Sequence, residues 1–102
     1  MAGSADTNSD GVVEAWFGKT FNPEGLDART RLLVTIAALT VLGALNEPQL
    51  RLTIRQALTA GATEREIAEV IWQMSMFGGL PAMQKALETA QSVFAEVEEK
   101  DA

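Results

Sequence analysis

Between Leu32 and Leu45 the chain carries no charge, and its only polar side chains are Thr35 and Thr40. An apolar run without a proline must either cross a membrane or be covered by protein. This one falls short of the roughly 18 to 20 apolar residues that span a bilayer, so the expectation is a buried helix that is hydrophobic on nearly all sides. A chain of 102 residues makes one small domain, with few other helices to cover such a rod. Further copies of the chain are expected to supply the cover, which predicts an obligate homo-oligomer.

The rest of the chain reads as helices separated by capping and breaking residues, with no sustained alternation that would mark a strand. A short docking helix is predicted around Val12, Val13, Trp16 and Phe17, ending between Gly18 and Pro23. The apolar rod begins after Asp27, a plausible N-cap, and continues to Leu45. Asn46-Glu47-Pro48 opens the next helix and Ala60-Gly61 closes it, with Leu50, Ile54, Ala57 and Leu58 as its apolar stripe. Thr63 and Glu66 form a capping-box pattern, in which hydroxyl and carboxylate each satisfy the other's free backbone N–H. Ile67, Val70, Ile71 and Met74 follow at helical spacing, up to a stop at Gly78-Gly79. Pro81 starts a last helix that turns Met83, Leu87, Ala90, Phe94 and Val97 inward. The predicted fold is all-α, with about five helices over residues 11–97. It lies between a polar tail at 1–10 and a charged stretch at 98–102, both expected to fray.

Eight Lys and Arg against fourteen Asp and Glu leave a net charge of −6, which repels phosphate backbones, so no nucleic-acid partner is expected. The chain has neither Cys nor His. That removes thiol nucleophiles, thiolate metal sites, the commonest general base and the commonest zinc ligand. Glu64, Glu66 and Glu69 read as capping and solvated carboxylates, and no metal or other cofactor is expected. Residues 1–10 lack the basic and apolar regions of a signal peptide, so a cytoplasmic protein without membrane association is expected.

Placed at about 100° per residue, Gln49, Thr53, Gln56 and Ala60 share a face of polar and small side chains of the kind that lines a small cavity. Arg51 and Arg55 lie one turn apart on roughly the opposite margin. They read either as a solvated or interface face near Glu47, or as two guanidinium forks that clamp a carboxylate or phosphate across a subunit boundary. Trp72 and Met76, beside the Gly-Gly turn, read either as core or as walls of an apolar pocket.

Three stretches, taken in order, resemble the carboxymuconolactone decarboxylase family, also called the AhpD-like fold: GLDARTRLLVTIAAL at 25–39, LRLTIRQALTAGATEREIAEV at 50–70 and MFGGLPAM at 76–83. Trp16 and Gly18 are similar to the Trp-Gly segment that precedes the first stretch in the lactone decarboxylases. The resemblance covers about residues 16–95. It implies an all-helical subunit assembled as a homotrimer or homohexamer, with small pockets near subunit contacts. Peroxidase-type members carry Cys-x-x-Cys followed four residues later by His. The corresponding places here hold Asn46, Gln49 and Thr53, so that activity is excluded. Lactone decarboxylases keep a His at the Thr53 place, and usually a Glu just after Trp-Gly, where this chain has Lys19. Arg51 and Arg55 resemble basic positions flanking that His, and the family's substrate is a carboxylated lactone.

Loss of CO2 from such a lactone requires that the leaving carboxylate be held, the developing enolate stabilised and a proton delivered to carbon. Thr53 hydrogen-bonds but is far too weak an acid to replace an imidazole. A buried Glu of raised pKa, Lys19, or Glu14 one turn before Gly18 are the substitutes available. The expected function is an enzyme acting on a small cyclic carboxylated or oxygenated substrate. Gln49, Thr53 and Glu14 are expected at the reaction, with Arg51, Arg55, Gln56, Trp72 and Met76 around the substrate. The reaction is decarboxylation, or a cofactor-free cyclisation or isomerisation that depends more on orientation. The alternative is a non-catalytic family member that binds a small molecule or serves as a scaffold.

Overall fold

The computed structural model describes residues 24–101. The docking helix expected around residues 12–17, together with Glu14, Trp16, Gly18 and Lys19, lies outside the described residues. Five helical segments follow one another: α1 (Ala28–Val41), α2 (Glu47–Thr59), α3 (Glu64–Gln73), a single turn α4 (Ser75–Gly78) and α5 (Leu80–Asp101). Among the described residues there is no strand, and the all-α expectation holds.

The helix starts follow from local chemistry. The Asp27 carboxylate accepts from the Thr30 backbone N–H, and the Asn46 side chain accepts from that of Gln49. The capping box at Thr63 and Glu66 closes in both directions. Each such cap contributes about 1 kcal/mol.

The helix ends depart from expectation at two places. α1 stops at Val41 instead of reaching Leu45, because Gly43 adopts φ +98°. Its N–H reaches the Thr40 carbonyl while that of Ala44 returns to the Leu39 carbonyl, a closure that satisfies the last free acceptors and needs a left-handed residue. α3 stops at Gln73, short of Gly78-Gly79; the Met74 N–H bonds both the Val70 and Ile71 carbonyls, and the chain resumes as α4. Gly78 has a packing reason. A Cβ there would lie 3.0 Å from Val41 Cα and 3.2 Å from the Val41 carbonyl oxygen, so α4 rests its backbone directly on the end of α1. α5 starts at Leu80 with Pro81 in its first turn and runs to Asp101.

The predicted stripes meet in one core. Leu32 and Ile36 of α1 pack with Leu50, Ile54 and Ala57 of α2, Ile67 and Ile71 of α3, and Met83, Ala90 and Phe94 of α5. Each fully buried Leu or Ile contributes about 1.5–3 kcal/mol. α1 touches all four other helices. Even so, it is covered on one face only: Ala28, Leu32, Ile36 and Thr40 are buried, whereas Val34, Ala38 and Val41 are exposed. Thr40 is accepted in the core because its hydroxyl donates to the Ile36 carbonyl at 2.8 Å. Among the described residues, no helix is long and apolar enough to cross a membrane.

Candidate functional site

Helix α2, registered by its Asn46 cap and the proline at its start, carries five of the residues singled out in the sequence. Thr53 is 1% exposed. Its hydroxyl donates to the Gln49 carbonyl at 2.8 Å and accepts from Gln49 Nε2 at 3.3 Å, so both partners belong to its own helix. Gln49 is exposed, and Gln56, one turn beyond Thr53, is half-buried.

Arg51 and Arg55 project from α2 onto the far half of α5 and share one carboxylate. Arg51 Nη2 lies 2.6 Å from Glu96 Oε2 and 3.2 Å from Ser92 Oγ, and Arg55 Nη2 lies 3.0 Å from Glu96 Oε1. Glu47, one turn before Arg51, stands 3.8 Å from its other terminal nitrogen. The Arg55 hydrogen bond, followed by the charge of Arg51, holds the Glu96 carboxyl below the usual range. The two forks therefore grip a carboxylate of the chain itself. The cluster is exposed, where such pairs contribute little to stability but set geometry.

A groove of about 940 Å³ opens between α1, α3 and α5. Leu33, Val70, Leu87 and Trp72 line it with apolar side chains, and Gln73 and Gln91 offer amides. Two ion pairs occupy its rim: Arg29 with Glu66, and Arg65 with Glu69 at 2.8 Å. The Glu66 carboxyl is held below its ordinary value, first by the Thr63 backbone N–H and then by the Arg29 guanidinium. Glu64, at the start of α3, shifts the other way, because a hydrogen bond with Glu98 favours its neutral form. An apolar lining beside compensated charges suits a mostly apolar molecule with polar substituents. Among the described residues, no group of three acidic side chains is placed to hold a metal ion.

Of the residues singled out from the sequence, Trp72 lines this groove; Gln49, Thr53, Gln56, Arg51, Arg55 and Met76 do not. Met76 lies on α4 and is largely exposed, and Glu14 lies outside the described residues. Arg29, Leu33, Leu87 and Gln91 are groove residues that sequence reasoning missed. Leu87 was legible as an inward position, whereas the role of Arg29 depends on a contact 37 residues away and has no local signature.

These features define a small helical domain with a ligand-sized groove and a polar helix face, free of thiol and imidazole chemistry. The sequence model of the carboxymuconolactone decarboxylase family matches residues 9–92, and the chain belongs to that family. It is 76% identical over 89 residues to an uncharacterized 15.0 kDa protein in the nqo9-nqo10 intergenic region of Paracoccus denitrificans, covering 87% of this chain and 66% of that protein. It is 40% identical over 83 residues to the 4-carboxymuconolactone decarboxylase of Acinetobacter baylyi, covering 81% of this chain and 60% of that enzyme. The chain thus spans just under two thirds of the length of these relatives.

Proposed function

We propose that this chain forms the helical body of an enzyme acting on a small cyclic molecule that carries a carboxylate or ring oxygen. The reaction is decarboxylation, or a cofactor-free cyclisation or isomerisation derived from it. The observation that carries this reading is the 40% identity to a 4-carboxymuconolactone decarboxylase along most of the chain.

In a decarboxylation the bond between the ring carbon and the carboxylate breaks, its electron pair passes into an enolate, and a proton then adds to carbon. Amide and hydroxyl donors of the Gln49–Thr53 kind serve to hold the oxygens on which that charge develops. Arg51 or Arg55 serves the leaving carboxylate once released from Glu96. Proton delivery falls to a group other than imidazole, with Glu14 and Lys19 as the nearest chemical substitutes in the sequence.

A second reading is favoured by a specific observation. The Thr53 hydroxyl is fully engaged within its helix, and both arginines hold a carboxylate of the same chain, which suits a member that binds without turning over. Incubation with 4-carboxymuconolactone, followed by CO2 release and loss of the substrate's absorbance, separates the two. Turnover that falls in Gln49→Ala and Arg51→Ala supports the enzyme. Absence of turnover on this and related lactones, with binding retained, overturns it. Gain of decarboxylation in Thr53→His would locate the loss of the chemistry at that position.

A further inference from the structure

Glu96 stands where a ligand would. Its two carboxylate oxygens face two guanidinium groups, Oε2 at 2.6 Å from Arg51 Nη2 and Oε1 at 3.0 Å from Arg55 Nη2. The same Arg51 nitrogen donates to Ser92 Oγ at 3.2 Å, one turn earlier on α5. Ser92 accepts there and keeps its own O–H to donate to an oxygen beside it. Two cations and a hydroxyl thus make an oxyanion site whose occupant is supplied by the chain itself. Arg51 does not depend on Glu96 for its place: its side chain is 21% exposed, and Glu47 stands 3.8 Å from Nη1. Glu96, by contrast, is a flexible side chain on the water side of α5, between Phe94 and Val97, which pack inward. A rotamer change on the nanosecond scale carries its carboxylate away from both guanidinium groups without moving the helix.

We propose that Arg51, Arg55 and Ser92 form a binding site for the carboxylate of a small organic acid, and that Glu96 is a tethered competitor that fills it between ligands. The class of ligand follows from the occupant, a planar group with one oxygen for each guanidinium and a single negative charge. Arg51 and Arg55 balance Glu96 and Glu47 in charge. A ligand carboxylate in place of Glu96 restores that balance, whereas a neutral molecule strips it from two cations and a cationic one is repelled. The tether also sets a threshold. A group held on a short flexible arm competes at an effective concentration of about millimolar, so a ligand must bring contacts beyond its carboxylate to displace it. The inference rests on the reading of the two arginines as an anion clamp in the proposed function, and not on turnover.

The test is a titration of the full chain with benzoate at constant ionic strength, followed through the arginine Nε–H resonances by nuclear magnetic resonance. Glu96→Gln keeps the shape of the side chain and removes its charge. Each exposed ion pair is worth up to about a factor of five, so loss of both should tighten benzoate binding roughly three- to thirty-fold. The Arg51 and Arg55 resonances should move together while those of Arg29, Arg31 and Arg65 stay. Glu96→Ala should gain affinity as well, which keeps the result independent of any contact made by the new amide. Glu88→Gln makes the same change in net charge about two turns earlier on α5 and should leave affinity at the wild-type level. Adding Arg51→Gln and Arg55→Gln to Glu96→Gln should abolish binding. Equal affinity in the wild type and Glu96→Gln overturns the inference, as does a gain matched by Glu88→Gln or the absence of benzoate binding in every variant. A chain that releases no CO2 from lactones yet gains benzoate affinity in Glu96→Gln loses the enzymatic reading and keeps this one; turnover without that gain does the reverse.

Discussion

Ile36 and Val34 sit two residues apart on α1, both β-branched, on opposite sides of the helix: Ile36 is fully buried and Val34 is 58% exposed. Truncating each to alanine measures which side of α1 the subunit covers. Ile36→Ala removes three carbons from the centre of the core, at about 0.8 kcal/mol each, and leaves a cavity whose walls belong to several helices. The expected loss is about 3–4 kcal/mol. Val34→Ala removes two carbons of which less than half the surface is covered, a loss of about 0.7 kcal/mol. The better helix propensity of alanine offsets most of it, so the net change is under about 0.5 kcal/mol. Urea unfolding followed by far-ultraviolet circular dichroism should move the Ile36→Ala midpoint down by roughly 1–3 M and leave Val34→Ala near its parent. Equal losses in the two variants, or a loss below about 1 kcal/mol for Ile36→Ala, would refute the placement of α1.

Three further outcomes follow from the same contacts. Thr53→Val should change stability by no more than about 1 kcal/mol in urea unfolding, because both partners of the hydroxyl lie on its own helix and Gln49 is exposed to water; a loss above about 2 kcal/mol would mean that the hydroxyl satisfies a group elsewhere. Thr63→Ala should cost about 1 kcal/mol by the same assay, through the lost cap of α3, and an unchanged midpoint would contradict the capping geometry. Glu66 and Glu96 both titrate below their ordinary value of 4.5. A depressed carboxyl contributes stability that is present above that value and disappears as pH falls through the folded pKa. The urea midpoint should therefore decline below about pH 4.5, less steeply in Glu96→Gln; a midpoint that is flat from pH 6 to 3 would show that neither ion pair persists in solution.

Of the groove, Trp72 was legible in the sequence as a wall residue and Leu87 as an inward position, and the grouping of its walls was not. The polar face of α2 is present as periodicity requires, and Trp72 does border a groove. The two arginines were readable as an anion clamp, yet no local pattern says that the anion they hold is Glu96, 41 and 45 residues further along the chain. The end of α1 was misplaced for a related reason. Gly43 looks like a tolerated small residue inside an apolar run until its left-handed conformation and the returning N–H of Ala44 are seen.

By itself the sequence determined the helix starts, the inward stripes, the acidic charge and the absence of thiol and imidazole chemistry. Caps and stripes depend on groups three or four residues apart, and charge and composition depend on no geometry at all. Only the tertiary structure decided which face of α1 is covered, that α4 rests on Val41 through Gly78, and that Arg29, Trp72, Leu87 and Gln91 border one hollow. Those arrangements join side chains from different helices, and the angles at which helices pack are set by the whole core rather than by any one segment.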